Sequence, residues 1–176
     1  VSYAPRTTPD GGSELDPQRL FAAVCRVLDG CLRRAGARAT EIRGVATSMF
    51  WHSLIGMDAA GKPLTPCYTW ADLRSDGAAR ELRQELDESA VHARTGCPLH
   101  PTFFPARIRW LATRHPQTFK HTRTWGGFWE YLTLRLFGHA ASSLSMASAS
   151  GLLDQAGCAW DVEILATSMI DEARLF

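Results

Sequence analysis

Two short segments carry the side chains best suited to chemistry. Trp51-His52 interrupts an apolar run, and Thr69-Trp70-Ala71-Asp72-Leu73-Arg74 follows one hairpin later. An imidazole can donate to or accept from a hydroxyl. The tryptophan beside it offers a flat apolar face with one N–H donor. An aromatic wall with a polar tip suits a polyhydroxylated ligand, whose C–H faces stack and whose hydroxyls form hydrogen bonds. Asp72, facing a cleft, would accept from such hydroxyls. Each segment also has a plainer reading. His52 can be a packed, hydrogen-bonded core residue. Asp72 can cap the helix that follows, with Arg74 on a solvated face.

Other candidate chemistry is thin. The Ser-rich run from Ser142 to Gly151 has no Lys and a single Gly. It does not match a phosphate-binding P-loop and reads as a loop or tight turn under the cleft. His92 and His100 are too isolated to argue for a metal site. No Ser/His/Asp or Cys/His constellation can be assembled from spacing. The five cysteines, Cys25, Cys31, Cys67, Cys97 and Cys158, form no CxxC pair. They read as reduced thiols of a cytoplasmic protein. Cys25 and Cys31 fall on a helical pattern as small buried side chains.

The elements that would position these residues follow from pattern. Asp16-Pro17 is a helix start, because Asp is a preferred N-cap and Pro loses nothing at the first helical position. Leu20, Phe21, Val24, Val27, Leu28, Cys31 and Leu32 follow as one apolar stripe, and Gly36 closes the helix. Residues 42–48 read as a buried strand, 53–57 as a second and 63–70 as a third, the last two forming a hairpin. The prolines in 63–70 push that strand toward an edge. Residues 71–87 and 89–95 read as helical, 96–101 as a loop, and further helices start at Pro105, Phe128 and Trp160-Asp161. Helix, strand, hairpin, then helices is an α/β order with a helical insertion. Val1 to Pro5 looks like the middle of a strand, and 171–176 stop on an uncapped helical pattern. The expectation is a chain truncated at both ends.

Composition excludes several classes. The chain has 176 residues, 45% hydrophobic and 21% charged, with a formal net charge of +1. These are the values of a globular domain. No Lys/Arg cluster marks a nucleic-acid footprint, and no apolar run reaches the ~20 residues of a membrane span. Neither nucleic acid nor membrane is expected as a partner. Residues 42–57 carry no acid. That disfavours nuclease chemistry, which needs clustered carboxylates at strand ends.

In combination the motifs resemble the FGGY family of carbohydrate kinases. The resemblance rests on Ser48-Met49-Phe50-Trp51-His52-Ser53-Leu54, then Asp58-x-x-Gly61-Lys62-Pro63-Leu64, then Thr69-Trp70-Ala71-Asp72-x-Arg74. It continues through Arg94-Thr95-Gly96-Cys97-Pro98-Leu99-His100-Pro101 and Ser145-Met146-Ala147-Ser148-Ala149-Ser150-Gly151-Leu152-Leu153-Asp154, with Trp160-Asp161 beyond. Gly12 to Pro17 resembles the family's approach to its first helix. The order is kept over nearly the whole chain, and the flavour is that of gluconate or pentulose kinases.

The resemblance implies a ribonuclease H-like, actin-like ATPase N-terminal domain, a mixed sheet with helices. It implies that residues 1–176 are a partial sugar-binding domain. The family's leading D-x-G-T/S phosphate turn, its later general base and its ATP-binding second domain are not matched. ATP and Mg2+ would serve the full-length enzyme, with neither held tightly by this part, which is expected to be inactive alone. Trp51, His52, Asp72, Arg74 and Thr102 match the sugar-side positions. The chain departs from common family residues at Trp51 (often Met), Trp129 (often Lys) and Ser143 (often Asp). A degenerate, non-catalytic sugar- or protein-binding module is the alternative. An open sheet edge near residues 1–8 would favour a homodimer.

Overall fold

Asp16 starts the first helix as its type requires, its carboxylate accepting from the N–H groups of Gln18 and Arg19 at 2.8 and 3.0 Å. The computed structural model describes residues 1–176 throughout. That helix, α1, spans Pro17–Ala35 and ends at Gly36, whose φ of 55° suits a residue without Cβ. A short 3₁₀ turn follows at Gly36–Glu41.

Strands β1 (Arg6–Thr7), β2 (Ser13–Leu15) and β4 (Cys67–Tyr68) form one antiparallel sheet in the order β1-β2-β4. Strand β3 (Ile55–Met57) pairs antiparallel with β5 (Thr124–Gly126). The two sheets meet where Leu54 and Tyr68 exchange both backbone hydrogen bonds, at 3.0 and 2.9 Å. The expected hairpin is therefore present. Its turn closes through the Asp58 N–H to the Lys62 carbonyl at 3.0 Å.

The remaining elements are α2 (Asp76–Glu85), α3 (Glu88–Thr95), α4 (Phe104–Arg114), α5 (Pro116–His121), α6 (Phe128–Phe137), α7 (Leu144–Ser150) and α8 (Val162–Thr167). A small ribbon of β6 (Leu153–Asp154) and β7 (Ala159–Trp160) precedes α8. Side chains alternate across a strand, and here the alternation feeds two cores. Leu54 packs with Leu82, Ile108, Leu111 and Trp125 on one face. Ile55 and Met57 pack with Leu15, Phe128 and Tyr131 on the other.

Four expectations are corrected. Residues 42–48 form no strand. The segment finds no ladder partner within residues 1–176, and Val45 stays 72% exposed. The Ser-rich run is not a loop. Ser143 caps α7, its Oγ accepting from the Met146 N–H at 3.2 Å. Cys31 is exposed and Cys25 only partly covered, because α1 buries just its first turns. The helix after Trp70 starts at Asp76, with Ser75 and not Asp72 at its cap position.

Leu54 is completely buried at the junction of the sheets. Leu54→Ala is expected to cost about 2–5 kcal/mol, read as a lower midpoint in urea unfolding with an unchanged slope.

Candidate functional site

The site is built around an uncommon backbone. His52 has φ 58°, in the left-handed region that non-glycine residues rarely enter. It lies just ahead of Leu54 and β3, so the chain turns sharply there and presents the imidazole. The ring Nδ1 stands 3.0 Å from the Ala149 carbonyl oxygen, near the end of α7. A carbonyl only accepts, so Nδ1 carries the proton and Nε2 is left with a lone pair. Burial is the main influence lowering the His52 pKa below its usual 6.5, and the charges of Arg107 and His100 act the same way. The hydrogen bond to Ala149 opposes them only in part. The ring meets Phe103 edge-on at 4.7 Å and Trp51 at 6.0 Å.

Two exposed tryptophans lie at the ends of the hairpin strands, Trp51 beside this imidazole. Trp51 is 50% and Trp70 64% exposed. Large indoles left in water at the ends of adjacent strands are the exception to ordinary burial. Thr102 joins them from the loop ahead of α4. Its Oγ1 lies 2.9 Å from His100 Nδ1 and 3.2 Å from the Trp70 carbonyl oxygen. The Thr102 N–H donates to the same His100 nitrogen at 3.2 Å. An open depression of about 420 Å³ runs beside Trp51 and is shared with Trp129, Ser143 and Met146. The three departures noted in the sequence, Trp51, Trp129 and Ser143, thus line one hollow. Beneath it, Glu130 is buried, accepting from the Gly127 N–H at 2.8 Å and the Ser142 hydroxyl at 2.6 Å.

The Asp72 and Arg74 side chains bond to each other and to β2. The Asp72 carboxylate accepts from the Ser13 N–H at 2.9 Å, and from the Arg74 N–H, Nε and Nη2 at 3.2, 3.1 and 2.5 Å. Arg74 also reaches Glu14 at 2.8 Å, and Glu14 reaches Arg6 at 2.5 Å. The Arg74 guanidinium lies over the Tyr68 and Trp110 rings, 5.3 and 5.2 Å from their centroids. Burial works against the Arg74 charge, but its bonds to Asp72 and Glu14 overcome this and raise its pKa. The structure thus brings Trp51, His52 and Thr102 to one corner. Asp72 and Arg74 pin β2 to the turn after β4.

Two contributors escaped the sequence reading. His100 was set aside as isolated, yet it holds Thr102. Arg107 went unremarked, yet it is buried and donates to the His52 carbonyl. A signal existed. Phe104, Arg107, Ile108 and Leu111 fall at i, i+3, i+4 and i+7, so the arginine shares the apolar face of α4.

The fold is that of the actin-like ATPases, and solved structures match it over almost the whole chain. A gluconate kinase from Lactobacillus acidophilus superimposes with a TM-score of 0.87 at 27% identity, covering 99% of this chain and 35% of that one. A xylulose kinase from Rhodospirillum rubrum gives 0.90 at 24% identity, covering 98% and 36%. Residues 2–175 match the model of the FGGY family of carbohydrate kinases, N-terminal domain, and the chain belongs to that family. A gluconokinase of Bacillus licheniformis is 33% identical over 175 residues, which is 99% of this chain and 34% of the relative. A xylulose kinase of Streptomyces rubiginosus is 33% identical over 174 residues, 98% and 35%. The chain spans about a third of the length of these curated relatives.

Asp72→Ala strips Arg74 of three bonds and leaves the Ser13 N–H without its acceptor. The expected loss is about 3–5 kcal/mol in chemical unfolding. Asp72→Asn, which keeps one acceptor oxygen and loses the charge, should fall between that variant and wild type.

Proposed function

We propose that residues 1–176 are part of the sugar-binding domain of an ATP-dependent carbohydrate kinase. The acceptor is a hydroxyl of a sugar or sugar acid, of the gluconate or pentulose class. One observation carries the reading. In a chain of this family, a neutral imidazole with a free lone pair stands beside the exposed Trp51 at a strand end. Nε2 of His52 accepts a hydrogen bond from a sugar hydroxyl. Trp51 stacks on the C–H face. Thr102, held by His100 and the Trp70 carbonyl, offers a second hydroxyl contact. Asp72 and Arg74 brace the corner through their bonds to each other and to β2 and do not touch the ligand in this reading.

The kinases of this family use ATP, which would supply the phosphoryl group. Phosphoryl transfer asks the protein mainly for positioning and charge stabilisation. This chain supplies the positioning of the acceptor: it orients the sugar and keeps one side of it dry. No three His, Cys, Asp or Glu side chains converge on a metal site within residues 1–176. No residue of this chain is assigned as a ligand of the donor's Mg2+ or as the catalytic base. No helix is long and apolar enough to cross a membrane. A cytoplasmic enzyme is the reading adopted, in line with sugar phosphorylation by ATP.

His52→Asn tests the site, because asparagine tolerates a left-handed backbone while removing the imidazole. In the complete kinase, sugar KM is expected to rise about tenfold to a hundredfold, with KM for ATP little changed. An unchanged sugar KM would remove His52 from the site. The pH dependence follows from the depressed His52 pKa. Burial favours its neutral form, so its contribution to sugar affinity is retained at neutral pH and above. Affinity falls only as pH drops through the lower, folded-state value. The same protonation weakens folding in that acid window, since the unfolded chain takes up the proton first. Sugar titrations between pH 4.5 and 8 check this, and His52→Asn should lack the acid limb.

A further inference from the structure

We propose that Arg107 is the positioning residue of the sugar site, its guanidinium locking three separate chain segments into the geometry that presents His52 and Thr102. The inference rests on the sugar-binding reading of His52 given above.

Arg107 is 2% exposed and projects from the first turn of α4. Its four hydrogen bonds all go to main-chain carbonyls. Nε donates to Pro101 at 3.0 Å. Nη1 donates to His52, and also to Tyr68 at 3.4 Å. Nη2 donates to Thr69. No carboxylate pairs with it directly; Asp72 acts on it only through its charge. A buried arginine without a bonded acid is uncommon, because removing the charge from water is costly. Burial accordingly brings its pKa down to about 10, which still leaves it charged at neutral pH.

The carbonyls it gathers are the informative part. His52 carries the lone pair assigned to the sugar. Thr69 immediately precedes Trp70, whose carbonyl accepts from Thr102. Pro101 immediately precedes Thr102 itself. One planar fork thus spans the strand end, the end of β4 and the loop ahead of α4. Lysine cannot reproduce this, since its three donors radiate from a single nitrogen. The bond to the His52 carbonyl also bears on the left-handed backbone at that residue. A conformation of this kind persists where the surroundings over-determine it. With the carbonyl held by Arg107 and Nδ1 held by Ala149, both ends of His52 are fixed.

The test is a double-mutant cycle in the complete kinase, with Arg107→Lys as the first variant, since it keeps the buried charge. Arg107→Lys is expected to raise sugar KM about tenfold, with KM for ATP within twofold of wild type. In the His52→Asn background the same substitution should raise sugar KM less than about threefold, because the imidazole is gone and only the Thr102 contact is left for it to position. Arg107→Met, which also removes the charge, should raise sugar KM further. If Arg107→Met does not fold, the Arg107→Lys cycle alone decides. A folded Arg107→Lys enzyme with wild-type sugar KM overturns the positioning role. So does an effect of equal size in both backgrounds, which would mark general stability loss. The two readings fail separately. His52→Asn with wild-type sugar KM defeats the sugar site, whereas a normal His52→Asn defect with an additive cycle defeats only Arg107.

Discussion

A guanidinium that enters a protein interior has to give each N–H an acceptor, and this fold organises its working corner around that requirement. Arg107 has several donors and almost no exposed surface. The acceptors nearest to hand are main-chain carbonyls at the ends of strands and in the loop before α4. Strand ends and loops are where carbonyls lack ladder partners, so the demand of the charge and the supply of acceptors coincide. Segments distant in sequence are thereby drawn to one point. The arrangement resists local slippage, because moving any of the segments would leave a buried donor unsatisfied.

A second charged cluster performs a different task. Arg6, Glu14, Arg74 and Asp72 alternate in sign along a chain of ion pairs, and Arg74 is sandwiched against the faces of Tyr68 and Trp110. Gly12 is part of the same packing. A Cβ there would stand 2.9 Å from the Arg74 guanidinium carbon and closer still to Thr8 Oγ1. The glycine is thus required by close approach, not by backbone angle. Ser13 and Thr69 complete the join with hydroxyls 2.7 Å apart. This cluster sets where β4 ends, and therefore where Trp70 and the Thr69 carbonyl lie.

Much of this was legible in the sequence, for physical reasons that differ by element. Helix ends could be read because caps are local: Asp16 before Pro17, and Gly36 after α1, act on their immediate neighbours. The hairpin could be read because its turn is also local. The strand expected at 42–48 could not be settled locally, since a strand is defined by its partner. Ser143 was taken for loop because serine favours turns and caps alike, and only the backbone decides between them. At the site, the residue types single out Trp51 and His52, and the family resemblance adds Thr102. Asp72 and Arg74 were named from residue type as well, yet their polar atoms face each other and β2. Spacing places a side chain near a cleft but does not say which atoms claim it first. Arg107 was hidden because an arginine in a helix usually belongs to the wet face.

The C-terminal half of α1 has a consequence for the chain as a solute. Val27 and Leu32 remain 46% and 48% exposed, and Ile42 and Val45 nearby are 47% and 72% exposed. Apolar surface of this kind attracts its own copies when electrostatic repulsion is weak. Repulsion is weak here, because the chain carries a formal charge of +1 and has an isoelectric point near 7.8. Colloidal stability should therefore be poorest just above neutral pH. It should improve as the pH moves away from that point and the net charge grows.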